Sequence, residues 1–206
     1  VQALYGPYIL GLTGSIGTGK SETARMFRRL GFSVSNADDI VKDLYENSSL
    51  LQKRLAQLFS CHDSSLSMRT QVSAAVLERP AFLKVLEENI HPLVKQELTN
   101  HIQTARLKNE KLIVLDIPLL FETGWDKECD GILVVTCHPQ VQEQRVLSRK
   151  GMTKKKFDIL QQRQWPQEDK IARADFVLDT SQGRLHTFIE LRQLLKEPCK
   201  KEFKYA

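Results

Sequence analysis

The 206-residue sequence (23.6 kDa) is 41% hydrophobic and 27% charged, which excludes a collagenous, low-complexity or wholly disordered chain. Mean hydropathy is −0.33, and no apolar run approaches the ~20 residues of a membrane helix, so no membrane partner is expected. Lys and Arg number 30 against 25 Asp and Glu, a net charge of +5 that favours anionic partners without choosing among them.

The length predicts one domain, with room for inserted lids and a core that needs no staples. Cys61, Cys129, Cys137 and Cys199 form no CxxC pair and fit neither a zinc site nor a disulfide scaffold. They read as free thiols of a reducing compartment. Val1 to Pro7 has no basic start followed by an apolar stretch, so the expected location is the cytoplasm.

In chain order, the short apolar run 8–13 predicts a buried strand ended by a Gly-rich turn. Lys20 to Leu30 predicts a helix, with Ala24, Phe27 and Leu30 on one face and Gly31 as its stop. Phe32 to Ser35 predicts a second strand. Asp38 to Phe59 has helical spacing, interrupted at Asn47-Ser48-Ser49. Ser60 to Ser67 is a loop, followed by helical patterns at 69–77 and 81–90. Pro92 predicts a new helix start, running to about Lys108. Lys111 to Ile117 and Gly131 to Thr136 predict buried strands, and Pro139 to Lys150 a helix. Met152 to Arg173 is charged, helical and broken at Pro166, the pattern of an exposed lid. Phe176 to Leu178 predicts a last strand, and Leu185 to Leu195 a last helix. The alternation of strands and helices predicts an α/β fold with a mostly parallel sheet flanked by helices.

Gly14-Ser15-Ile16-Gly17-Thr18-Gly19-Lys20-Ser21 matches G-x-x-x-x-G-K-[ST] in full, between a predicted strand and a predicted helix. Small residues let backbone N–H groups curl around phosphate oxygens, and the positive helix end adds to the attraction. Lys20 would reach the β- and γ-phosphates, and the Ser21 hydroxyl would ligate Mg²⁺. The candidate ATP-binding set is Gly14, Ile16, Gly17, Thr18, Gly19, Lys20, Ser21 and Glu22. This motif establishes a nucleotide site rather than a reaction.

Two broad classes remain: a switch or motor NTPase, and a kinase acting on a small acceptor. Asp38 and Asp39 follow the second predicted strand, where the crevice of an open α/β sheet lies. A carboxylate there could orient or deprotonate an attacking hydroxyl, or simply cap the next helix. Arg145, Arg149 and Arg173 flank the charged segment. They could neutralise developing charge, or pair on the surface with Glu143, Glu168 or Asp169. Asp116 ends a strand as a Walker-B carboxylate would and could hold Mg²⁺ through water. Glu122 follows the Pro118-Leu119-Leu120-Phe121 turn, a stretch that suits a core as well as a ligand contact. His91 has no partner at metal spacing and reads as structural. The run Lys154-Lys155-Lys156 reads as a solvated helix face, and with Lys200-Lys201 it is the only support for a nucleic-acid-associated module. No nucleic acid is expected.

These residues together resemble the dephospho-coenzyme A kinase family. The resemblance runs from about Tyr8 to Leu195. It is carried by the phosphate loop, Asn36-Ala37-Asp38, Arg69 ahead of Val76-Leu77, and Ile90-His91-Pro92-Leu93-Val94. Further marks are Asp116-Ile117-Pro118-Leu119-Leu120-Phe121-Glu122, Gln144-Arg145 with Arg149, Gln164, and Ala174-Asp175 before Val177-Leu178-Asp179. It implies a single P-loop kinase domain over 8–196, with a core at 8–36, 110–140 and 174–196. A helical acceptor-binding insertion would fill about 38–108 and a lid about 145–173. It implies transfer of the ATP γ-phosphoryl to the ribose 3′-hydroxyl of dephospho-coenzyme A, with Mg²⁺. By position, Asp38 would engage that hydroxyl, and Lys20, Arg145 and Arg149 would stabilise the phosphoryl group. Arg69, His91, Leu119, Leu120 and Glu122 would line the acceptor side. The chain departs from the family pattern in three places. Asn36 stands for the first Asp of Asp-x-Asp, Ser15 stands for a second Gly, and the stretch from Cys61 to Met68 is short and lacks a Gly.

Overall fold

The computed structural model describes residues 6–196, apart from 62, 64 and 163. Cys199 and Lys200-Lys201 lie outside the described residues. By its packing the chain divides into two compact units, Val1–Ser35 with Ile102–Ala206, and Asn36–His101.

The first unit is built on a five-stranded sheet. Its strands are β1 (Tyr8–Thr13), β2 (Ser33–Asn36), β3 (Leu112–Asp116), β4 (Gly131–Thr136) and β5 (Phe176–Asp179), in the order β2-β3-β1-β4-β5. The central strand β1 runs parallel to β3 and β4, with Leu12 opposite Asp116 and Leu133, and β4 runs parallel to β5. All five residues of β3 are buried, which explains its continuous apolar run. On one face, Leu10, Leu12, Leu112, Val114, Leu133 and Val135 alternate along their strands. They form one core with Ala24, Met26 and Phe27 of α1 (Lys20–Arg29) and Leu191 of α9 (Arg184–Leu194). Each such side chain contributes about 1.5–3 kcal/mol when fully buried.

Between β4 and β5 lie α6 (Pro139–Leu147), α7 (Lys154–Gln162) and α8 (Gln167–Ala172). Exposed-lid patterning describes this segment only in part. Phe157 and Lys170 are buried, and Lys170 is fully enclosed. A 3₁₀ turn at Trp125–Glu128 has no counterpart in the sequence reading.

The second unit is helical: α2 (Ala37–Asn47), α3 (Ser49–Phe59), α4 (Met68–Glu78) and the start of α5 (Phe82–Leu107). Ser48 makes the predicted break, ending α2 and capping α3 through Leu51 N–H (3.3 Å). Tyr45, Leu51, Leu55, Phe59 and Val72 are buried, and Phe59 meets Phe82 edge-on at 5.3 Å. Pro92 does not start a helix as expected; α5 runs through it. Proline deprives the carbonyl four residues earlier of its N–H. Both Pro92 and Glu88 are exposed, so water can take the missing partner's place.

Candidate active site

The phosphate loop joins β1 to α1. Gly17 and Gly19 sit at φ 84° and 99°, in the left-handed region that other residues adopt only with strain. A Cβ on Gly17 would also stand 2.5 Å from Val146 Cγ2. The loop is braced internally by Thr18, whose N–H and hydroxyl both donate to the Ser15 carbonyl, at 3.2 and 2.8 Å. Ser21 is exposed in the first turn of α1. Lys20 Nζ forms an ion pair with the fully buried Asp116 at the end of β3, so the loop lysine and the strand-end carboxylate are neighbours. Glu22 pairs with Arg25 and, at 3.8 Å, with Arg184.

The segment around α8 closes on this loop. Gln167 Oε1 accepts from the Ser15 hydroxyl at 2.6 Å and its N–H at 3.3 Å, and Gln164 Oε1 accepts from Ile16 N–H at 3.0 Å. Serine at position 15 thus gains a bond that glycine could not make. Glu122 is committed to the same segment. It accepts from Trp165 N–H at 2.8 Å and stands 3.2 Å from Lys170 Nζ. Trp165 stacks on Phe121 at 5.6 Å, and the Arg173 guanidinium lies over the Trp165 ring at 4.6 Å. Burial pushes the Lys170 ammonium below the usual lysine range, and Lys20 adds to this; Glu122 works the other way.

Arg145 donates to the Thr180 hydroxyl at 2.8 Å and carbonyl at 2.7 Å, and that hydroxyl donates to Thr18 O at 2.6 Å. It therefore supports the loop through Thr180. Arg149 is exposed beyond the end of α6. Leu120 is fully buried and Leu119 is 38% exposed. Gln167, Thr180 and Lys170 were not singled out from sequence. They lie some 150 residues from the loop, and no local spacing signals such contacts.

In the second unit, Asn36 is the helix cap of α2. Its Oδ1 accepts from Asp39 N–H at 3.0 Å. Asp38 is therefore not the cap; it is exposed in the first turn. A cavity of about 550 Å³ opens among α2, α3 and α4, lined by Lys42, Tyr45, Gln52, Cys61, Arg69 and Gln71 among others. Burial raises the Tyr45 hydroxyl and the Cys61 thiol above their usual ranges, while Arg69 draws Tyr45 down. His91 is exposed on α5. Among the described residues no group of three His, Cys, Asp or Glu could hold a metal ion by itself.

A family model described as dephospho-CoA kinase matches residues 8–185. The chain belongs to the dephospho-CoA kinase family. A dephospho-CoA kinase of Rhodopseudomonas palustris is 39% identical over 192 residues, covering 93% of this chain and 96% of the relative. One from Rhizobium meliloti is 39% identical, covering 92% and 97%. Among solved structures, TT1252 of Thermus thermophilus superposes with a TM-score of 0.79 at 31% identity, covering 93% and 97%. The dephospho-CoA kinase of Campylobacter jejuni shares the fold, with a TM-score of 0.66 at 24% identity and the same coverage. The chain is thus a kinase on a P-loop fold, as its sequence predicted. No helix among the described residues is long and apolar enough to cross a membrane.

Proposed function

We propose that this chain transfers the γ-phosphoryl group of ATP to the ribose 3′-hydroxyl of dephospho-coenzyme A. The observation that carries the reading is the phosphate loop with Lys20 beside Asp116, in a chain of this family. The loop N–H groups and Lys20 bind the β- and γ-phosphates. Lys20 leaves Asp116 to do so, exchanging one anionic partner for another. Ser21 and Asp116 offer hard oxygen donors that would hold Mg²⁺. Bound there, Mg²⁺ supplies charge neutralisation on the triphosphate.

Asp38 takes or orients the proton of the attacking hydroxyl, its carboxylate being relieved of capping by Asn36. The cavity of the helical unit receives the acceptor, with Lys42 and Arg69 meeting its phosphates. Arg145 acts through Thr180 on the loop, and exposed Arg149 is available to the phosphoryl group. We assign His91, Leu119, Leu120 and Glu122 to the acceptor side on the resemblance alone. ATP and free thiols both suit a cytoplasmic setting.

The test is an acceptor panel. With ATP and Mg²⁺, turnover is expected with dephospho-coenzyme A and not with adenosine, AMP or no acceptor. Equal or faster turnover with adenosine or AMP would overturn the substrate assignment.

A further inference from the structure

Lys170 is a buried cation that the reaction just described does not use. Its side chain is fully enclosed, and its Nζ makes no hydrogen bond. Glu122 Oε1 lies 3.2 Å away, an ion pair outside hydrogen-bond geometry, and that oxygen already accepts from Trp165 N–H. Glu122 Oε2 is buried with no hydrogen-bond partner either. An ammonium taken out of water costs several kcal/mol unless it is paired and hydrogen-bonded, and Lys170, paired but without a hydrogen bond, keeps its donors open to a further acceptor.

The place of Lys170 says which ligand. Gln167 is three residues earlier on α8, so the two share a helix face, and Gln167 is bonded to Ser15 of the phosphate loop. Gln164 is bonded to Ile16. Lys170 also feels the charge of Lys20, whose own counter-ion Asp116 ends β3 six residues before Glu122. Two lysine–carboxylate pairs, Lys20 with Asp116 and Lys170 with Glu122, thus stand on segments that meet at the loop.

We propose that Lys170 is a second phosphate-binding lysine, whose Nζ donates to the terminal phosphoryl group of the bound nucleoside triphosphate. Glu122 holds the ammonium in charge balance until the nucleotide arrives. Gln164 and Gln167 carry the segment that delivers it, their amide oxygens bonded to the loop. The assignment rests on the kinase reading above for the nucleotide, and not on the identity of the acceptor.

The test compares binding of a non-hydrolysable ATP analogue and of ADP, each with Mg²⁺, to wild type and to two variants. Lys170→Met removes the ammonium. Glu122→Gln/Lys170→Met removes both charges and keeps an oxygen for Trp165 N–H, so no carboxylate is left buried alone. In both variants affinity for the analogue should fall about tenfold or more, the worth of a charged hydrogen bond, while ADP affinity stays within about threefold. Thermal unfolding of the double variant checks that the fold persists. Equal losses for the two nucleotides, or no loss in the double variant, would make Lys170 a structural lysine and overturn the proposal. Wild-type binding of both nucleotides without turnover on dephospho-coenzyme A would fell the acceptor assignment and leave Lys170 to be decided by the same ratio. A wild-type chain that binds neither nucleotide would fell both.

Discussion

Asn36 and Asp38 divide two tasks that sequence alone left joined. Either an amide or a carboxylate can cap α2, and the observed bond from Asp39 N–H goes to Asn36. Asp38 is left exposed, its charge favourably placed at a helix start whether or not it touches substrate. Asp38→Asn keeps the shape and removes the proposed base. Turnover should fall about 100-fold or more, with ATP affinity held within about threefold. Turnover close to wild type would reduce Asp38 to a helix-dipole partner. Cysteine reactivity is a second residue-scale outcome. Burial pushes the Cys129 thiol up to about 12, with Asp130, Asp126 and Glu128 adding to it. Its thiolate therefore gains population only as pH climbs toward that value, and at pH 8 the thiol form dominates. Of Cys61, Cys129 and Cys137 in the folded protein, Cys129 should alkylate slowest at pH 8. Peptide mass spectrometry reads this, and labelling of Cys129 as fast as Cys61 would contradict it.

At the scale of elements, local pattern carried far. The apolar runs of β1, β3 and β4 are short, continuous and bounded by turn residues, because these strands are buried in a parallel sheet. Gly17, Gly19 and Lys20 were legible because phosphate binding demands them at fixed spacing. Pro92 misled because a missing hydrogen bond on an exposed face weakens a helix without ending it. Pro92→Ala should therefore stabilise the chain, by up to about 3 kcal/mol, read as a higher unfolding temperature. A lower one would mean that Pro92 shapes α5 in a way its exposure does not reveal. The contacts of Gln164, Gln167, Lys170 and Thr180 on the loop were not legible. They join elements distant in sequence, and a Gln or Thr carries no periodic signature of the partner it meets.

Across the whole molecule, the basic balance has a physical use: both proposed substrates are polyanions, and Lys20, Lys42, Arg69 and Lys170 line sites assigned to them. Nucleotide binding should therefore be visible in global stability. At 100 times its dissociation constant a ligand adds about 2.7 kcal/mol, so ATP with Mg²⁺ should raise the unfolding temperature. Lys20→Ala should lose most of that rise while keeping its own unfolding cooperative; an unchanged rise would place the triphosphate elsewhere. The most direct measurement is the identity of the product. The purified chain is incubated with ATP, Mg²⁺ and dephospho-coenzyme A, and the product is resolved by mass and phosphorus NMR. A single added phosphate on the ribose 3′ oxygen is the expected result. A phosphate at any other position, or ADP and free phosphate with the acceptor unchanged, would contradict the assignment.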